Sequence, residues 1–351
     1  MSGQRVTSAD VAALAGVSRS TVSYVLNGSS RHNFSTNTVE RVRAAAEELA
    51  YTPNAAARAL RKGESGVVLL ALPELPLGWN FGRLLSGLTD AVAEAGRSLV
   101  TWYVRPGVQL RDILLDIAPR AIIEVVPLPA QDREAAAAAR IPIISTADPL
   151  GGMDRAVGAL QVRHLAQVGH QRLGMVTVDD PWVAVFRGPR EQGIRQAAAA
   201  LGLVPPRELI LDTNETSTAM GIVLPGNLGR RASGENAVRH VAETLRTWTS
   251  GPDPVTAVCC FNDLFAMLVI AAARSVGLKV PADLSVIGVD DEPAAGFLQP
   301  ALTTVRFNFE GTSAYTGAWL RARLAGKSAP RPTVGETIEI IERESVAPLN
   351  P

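Results

Sequence analysis

The stretch that decides the reading of this chain is Thr7-Ser8-Ala9-Asp10-Val11-Ala12-Ala13-Leu14-Ala15-Gly16-Val17-Ser18-Arg19-Ser20-Thr21-Val22-Ser23-Tyr24-Val25-Leu26-Asn27-Gly28. Apolar residues recur at helical spacing on both sides of Gly16, which marks a tight turn. Thr7 with Asp10 has the form of a capping box, and Ser18 is a good N-cap for the second helix. Val11, Leu14, Val17, Val22, Val25 and Leu26 are expected to share one small core. Two short helices joined this way form a helix-turn-helix, whose second helix enters the DNA major groove.

Working outward, Ser29 to Phe34 reads as a polar loop. Ser35 then caps a third helix, Thr36 to Leu49, with Val39, Val42, Ala46 and Leu49 on one face. Tyr51-Thr52-Pro53-Asn54 ends it, and Asn54 to Lys62 is expected to be a short Ala-rich helix before a stop at Gly63 to Gly66. Residues 1–62 hold eight Lys/Arg and four Asp/Glu, whereas the whole chain balances 34 against 34. A basic tip on a mildly acidic body suits a module that meets nucleic acid, carried by a body that does not.

From Val67 on, the pattern changes. Apolar runs at Val67–Leu72, Ser98–Tyr103, Ala121–Val126 and Pro142–Ser145 alternate with helical patterns at Phe81–Ala95, Leu110–Ile117 and Ala130–Arg140. The alternation then starts again. Helices are expected at Arg155–Val168, Arg187–Leu201, Glu235–Thr249 and Asp263–Val276. Strands are expected at Arg172–Val178, Leu209–Leu211, Val255–Phe261 and Leu284–Val289. Continuous apolar strands separated by helices imply parallel sheets covered on both faces. Two such sets make two doubly wound lobes, which bind ligands at the carboxyl ends of their strands. The tail from Thr303 is expected to return across the lobe connection.

With 351 residues, 47% hydrophobic and 19% charged, the chain can bury a sizeable core and is not a disordered polymer. Its two cysteines, Cys259 and Cys260, are neighbours in a strand, so they point to opposite faces and do not pair. No apolar run approaches membrane-spanning length and the N-terminus has no apolar signal region, so the cytoplasm is expected and no membrane partner. The four histidines (His32, His164, His170, His240) form no metal spacing, and no phosphate-cradling glycine motif is found. Neither an enzyme nor a cofactor or metal is therefore expected, and Asp290-Asp291-Glu292 reads as a binding loop rather than a catalytic pair.

On these residues the chain resembles the LacI/GalR family of bacterial transcription regulators. The resemblance is carried by Asp10–Ser18 with Thr21–Gly28, and by Glu47-Glu48-Leu49-Ala50-Tyr51-Thr52-Pro53-Asn54. Gly169-His170-Gln171-Arg172, Asn262-Asp263, Val280–Asp291 and Leu302–Val305 support it. It implies an all-α headpiece at residues 1–51, a hinge helix and linker at 52–64, and a two-lobed body at 65–351 like a periplasmic sugar-binding protein. It also implies a homodimer, or a higher oligomer, whose headpieces read a near-palindromic double-stranded operator as a repressor under control of a sugar-like small molecule. Two rivals are a regulator with no small-molecule inducer and a solute-binding or carbohydrate-processing protein with an accessory headpiece.

The site residues follow. Arg19 and Ser20 begin the second helix, where side chains meet base edges, and arginine's planar fork suits guanine. Tyr24 stands where many family members carry Arg. It either touches DNA or closes the headpiece core. Ser18, Thr21 and Asn27 suit phosphate contacts, which position without specifying. The Ser29–Phe34 loop is longer than usual, and Arg31 and His32 there either touch the backbone or lie in a solvated loop. Leu60 matches a hinge leucine that wedges into the minor groove. In the cleft, Asp290 matches a ligand-contacting carboxylate and Asn262 is its polar partner. Against Gly188, the family's arginine falls on Val185 with Arg187 displaced, and an expected aspartate is displaced to Asp148. The segments Tyr103–Leu110 and Ala147–Ala156 are shortened. Trp79, Phe81 and Trp182 are either walls for a ring-shaped ligand or ordinary core.

Overall fold

A computed structural model of the chain describes residues 6–26, 34–51, 65–73, 79–105, 107–180, 183–212, 235–308, 318–328 and 338–349, with backbone alone at 73, 79–80 and 147–151. The chain divides into two compact units, Met1–Ser65 and Gly66–Pro351. The expected hinge helix, with Leu60, lies outside the described residues, as do Asn27, Arg31, His32 and Trp182.

The first unit packs α1 (Ser8–Ala15), α2 (Arg19–Leu26) and α3 (Thr36–Glu48). Asp10 accepts from the Thr7 N–H and hydroxyl, both at 2.8 Å, and these bonds hold its carboxyl below the usual range. Gly16 takes φ 63°, a left-handed value open to glycine at no steric cost, and turns the chain into α2. Val11, Ala12, Ala15, Val22, Val42, Ala45 and Ala46 make the core, with Val17, Val25, Leu26, Leu49 and Tyr51 at its edge. Leu14 is a correction: it is 48% exposed. The buried face of α1 runs through residues 11, 12 and 15, and residue 14 falls roughly 100° round the helix from it.

The second unit has two lobes. In the first, β1 (Val67–Pro73), β2 (Ser98–Val104), β3 (Ala121–Glu124) and β4 (Ile143–Ser145) form a parallel sheet in the order β2-β1-β3-β4. The helices α4 (Trp79–Glu94), α5 (Leu110–Ile117) and α6 (Ala130–Ala138) connect the strands. Val68, Leu70 and Leu72 pack under Leu88, Ala91 and Val92 of α4. Leu69 and Ala71 face the other way, against Leu110, Leu114 and Ala136. Both faces of β1 are therefore covered, which is why its sequence is apolar without alternation.

The second lobe holds α7 (Ala147–Gln167), β5 (Leu173–Asp179), α8 (Ala184–Ala200), β6 (Arg207–Asp212), α9 (Glu235–Thr249), β7 (Ala257–Cys260), α10 (Asp263–Ser275), β8 (Ser285–Val289) and β9 (Thr303–Phe307). A helix at 318–324, α11, returns to the first lobe, where Trp319 and Leu320 join its core. Then β10 (Ile338–Ile341) pairs antiparallel with β9, closing the order β10-β9-β8-β7-β5-β6. Cys259 and Cys260 lie in the two opposite cores of this sheet, both free. No helix among the described residues is long and apolar enough to cross a membrane.

One element differs from expectation. The helix α7 starts at Ala147, eight residues before Arg155, directly behind β4. Pro149, Gly151 and Gly152 look like breakers in the sequence. Pro149 nonetheless falls in the first turn, where backbone N–H groups have no intrahelical partner, so its missing donor costs nothing.

Candidate nucleic-acid interface and ligand cleft

Ser18 caps α2: its Oγ accepts from the Thr21 N–H at 3.1 Å and lies 2.7 and 2.8 Å from the hydroxyls of Ser20 and Thr21. The cap uses the small polar groups to fix the start of the helix. Arg19, Ser20 and Tyr24 project from it, all exposed, while Val22 is buried beneath. Ser20 and Tyr24 are one turn apart, so they share a face. Tyr24 does not close the core. At 39% exposed, its ring lies near-parallel to that of Phe34, with centroids 6.4 Å apart and planes 26° apart.

The cleft side of the second lobe is built at the carboxyl ends of β5, β7 and β8. The helices α7 and α8 cross at glycine: a Cβ on Gly193 would lie 1.9 Å from the Arg155 carbonyl oxygen, and one on Gly158 2.1 Å from that of Arg190. This approach brings Asp154 of α7 against Arg190 of α8. Both are almost fully buried. The Arg190 Nε donates to Asp154 Oδ1 at 3.1 Å and Nη2 donates to the same oxygen. Its Nη1 donates to the Phe261 carbonyl just past β7, and the guanidinium lies 4.8 Å from the Phe261 ring centroid. Burial pushes the Asp154 carboxyl up to about 6 against the pull of Arg190, and the charge of Asp290 adds to the rise.

The loop after β8 is strained and clamped. Asp290 has φ 107° and Asp291 φ 50°, values that L-residues avoid at about 1–3 kcal/mol each. Asp263, at the start of α10, accepts from the Glu292 N–H at 2.7 Å and from the Thr304 hydroxyl at 2.6 Å. Burial pushes its carboxyl up to about 8 in spite of these bonds. Asp291 is gripped by Arg306 at 2.7 Å and by Arg343. The Asp290 N–H donates to Val305 at 2.8 Å. Such over-determination fixes the backbone of the loop at the carboxyl end of β8 in spite of the strain.

The other expected cleft residues are placed as follows. Asn262 Oδ1 caps α10 by accepting from the Phe265 N–H at 3.2 Å, with the residue half-buried at the end of β7. Arg187 Nη1 donates to the Val178 carbonyl at 3.1 Å and to Asp179 Oδ1 at 2.9 Å, at the end of β5. Phe81 packs on the first-lobe core, together with Phe186 of α8. Trp79 lies in α4 and Asp148 in α7, their side chains outside the described residues. Arg190 is not among the residues expected from the sequence, where Gly188 serves as the reference; it too stands three residues before a glycine, in Arg190-Glu191-Gln192-Gly193. Gly188 faces open space, whereas Gly193 is the glycine at the helix crossing. Among the described residues no cluster of His, Cys, Asp or Glu is arranged to hold a metal ion.

Comparison with known proteins agrees with this architecture. Residues 7–54 match the model of bacterial regulatory proteins of the lacI family, and residues 162–346 match a periplasmic binding protein-like domain. The HTH-type transcriptional regulator MalR of Streptomyces coelicolor is 30% identical, covering 97% of this chain and 96% of that protein. The regulator DegA of Bacillus subtilis is 28% identical over 99% of both chains. The crystal structure of the lac repressor dimer bound to operator and the anti-inducer ONPF superposes with a TM-score of 0.73. It is 25% identical, covering 98% of this chain and all of that one. A basic helix-turn-helix tip, a two-lobed body and relatives matched end to end lead to one conclusion: the chain belongs to the lacI family, and it is a DNA-binding transcriptional regulator.

Proposed function

We propose that this chain is a homodimeric repressor of a near-palindromic operator, modulated by a sugar-like small molecule held between the lobes. The observation that carries the DNA side is the outward face of α2, where Arg19, Ser20 and Tyr24 stand clear of the core. The operator-bound lac repressor dimer shares the fold along the whole chain. In this reading residues 1–51 form the headpiece, 52–64 a hinge that orders on DNA with Leu60 as its wedge, and 65–351 the sensing and dimerising body. Arg19 and Ser20 read base edges, while Ser18, Thr21 and Asn27 hold phosphates. The protein acts on DNA in the cytoplasm.

The cleft side rests on Asn262 and Asp290, which follow the adjacent strands β7 and β8, and on Arg190, which donates to the Phe261 carbonyl just past β7. A ligand that binds one lobe arrangement in preference to the other shifts the spacing of the two hinges, and by reciprocity operator binding weakens that ligand. Selection of bound fragments from the cell's own genome tests the proposal. Protection of a two-fold symmetric site is expected, and protection of no symmetric site would overturn it.

A second reading, a regulator with no small-molecule inducer, is favoured by one observation. Three of the five guanidinium N–H groups of Arg190 are already taken, by Asp154 and by the Phe261 carbonyl. A thermal-shift panel of mono- and disaccharides on the free protein separates the two. Ligands that raise the melting point and release the operator support the first reading, and silence across the panel supports the second.

A further inference from the structure

We infer that Tyr24 reads the 5-methyl group of a thymine in each operator half-site, and that Phe34 is the positioning residue that makes this reading possible. The inference rests on the DNA-binding reading above. Tyr24 lies on the same face of α2 as Ser20, 39% exposed. A long flexible arm at this place would search for a hydrogen-bond partner. Tyr24 does not search, because its ring is backed by that of Phe34 at 6.4 Å and 26°. Phe34 is itself fixed, since it immediately precedes Ser35, whose Oγ accepts the Thr38 N–H and begins α3. The residue that leads into the third helix thus braces the second, and Tyr24 becomes a flat apolar wall with a hydroxyl at its rim. In the major groove the apolar group a base presents is the thymine methyl. A braced ring excludes water from that methyl without losing side-chain freedom on binding, because the freedom was lost on folding.

The test uses the full-length protein and an operator selected from random duplexes. Each thymine is replaced singly by uracil, which removes the methyl and nothing else. One thymine per half-site is expected at which uracil weakens binding by about fourfold, the value of one buried methyl. That penalty should vanish in Tyr24→Ala and persist in Tyr24→Phe, which keeps the ring. It should shrink in Phe34→Ala and in Phe34→Leu, the latter keeping apolar bulk for folding without a flat face. The methyl reading is overturned if no uracil penalty responds to Tyr24→Ala. It is also overturned if Tyr24→Phe loses as much as Tyr24→Ala on operator and random DNA alike, which would make the hydroxyl a phosphate contact. Equal weakening of every duplex by both Phe34 variants, with an unchanged uracil pattern, would reduce Phe34 to a packing residue. If the unaltered protein selects no sequence at all, the DNA-reading function itself falls and this inference with it.

Discussion

Arg190 on α8 and Asp154 on α7 form a buried ion pair in which two guanidinium nitrogens share one carboxylate oxygen, at the carboxyl end of β7. The pair sits where two glycines let the helices touch, and beside the loop that carries Asp290. Charges this deep are costly alone and tolerable together. The pair therefore ties the cleft side of the second lobe to the helix that leaves the first lobe behind β4.

Removing one member should be far worse than removing both. Asp154→Ala strands the Arg190 cation and is expected to cost about 3–5 kcal/mol in urea unfolding. Arg190→Met should cost a similar amount, whereas Asp154→Ala combined with Arg190→Met should recover a large part of the loss. Additive penalties in the double variant would show that the two side chains do not act as a pair.

The helix crossing makes its own prediction. Gly193→Ala puts a methyl 1.9 Å from the Arg155 carbonyl oxygen, a backbone atom that cannot rotate away. The helices must separate, and destabilisation of about 1–3 kcal/mol is expected. Gly188→Ala, facing open space within the same helix, should be neutral or slightly stabilising, because alanine is the better helix former. Equal effects of the two substitutions in thermal unfolding would remove the crossing argument.

On DNA, Arg19→Ala is expected to cost about 1–3 kcal/mol and to relax preference at one base pair of each half-site. Competition between the selected operator and single-base variants measures this. A uniform loss on operator and random DNA would make Arg19 a phosphate contact.

The pH dependence of stability should have two arms. His170 donates or accepts with Thr256 at 2.9 Å and Ser285 at 3.0 Å, and lies 3.1 Å from the Ala347 carbonyl oxygen. Burial holds its pKa below the ordinary 6.5. The unfolded chain then takes up the proton first, so stability is full above pH 6.5 and is lost as pH falls through the lowered folded value. Asp263 works the other way. The folded carboxyl keeps its proton to about pH 8 while the unfolded one releases it near 3.8, so the folded state binds more protons in between. Its contribution is full below pH 3.8 and is lost as pH rises toward 8. In melting curves from pH 4 to 9, His170→Gln should flatten the acid arm and Asp263→Asn the alkaline arm. Unchanged slopes in either variant would assign that arm to other groups.

Much of this was legible in the chain itself, and the reason is local. Capping residues, Gly16, the helical spacing around it and the continuous apolar runs from Val67 to Val289 each act through near neighbours. The helices Leu110–Ile117 and Glu235–Thr249 and the opposite facing of Cys259 and Cys260 can accordingly be read without a fold. Only tertiary structure decided the rest. Leu14 lies outside the core because α2 and α3 cover a different face of α1. The helix α7 continues through apparent breakers because its first turn needs no donor from Pro149. Arg190 meets Asp154 because Gly158 and Gly193 let α7 and α8 touch, Gly158 against the Arg190 carbonyl and Gly193 against the Arg155 carbonyl. The brace of Tyr24 by Phe34 likewise exists only once the third helix folds onto the second. Propensity and periodicity determine the elements through neighbouring bonds. The partners of a charge or a ring are set by packing, which a linear pattern does not contain.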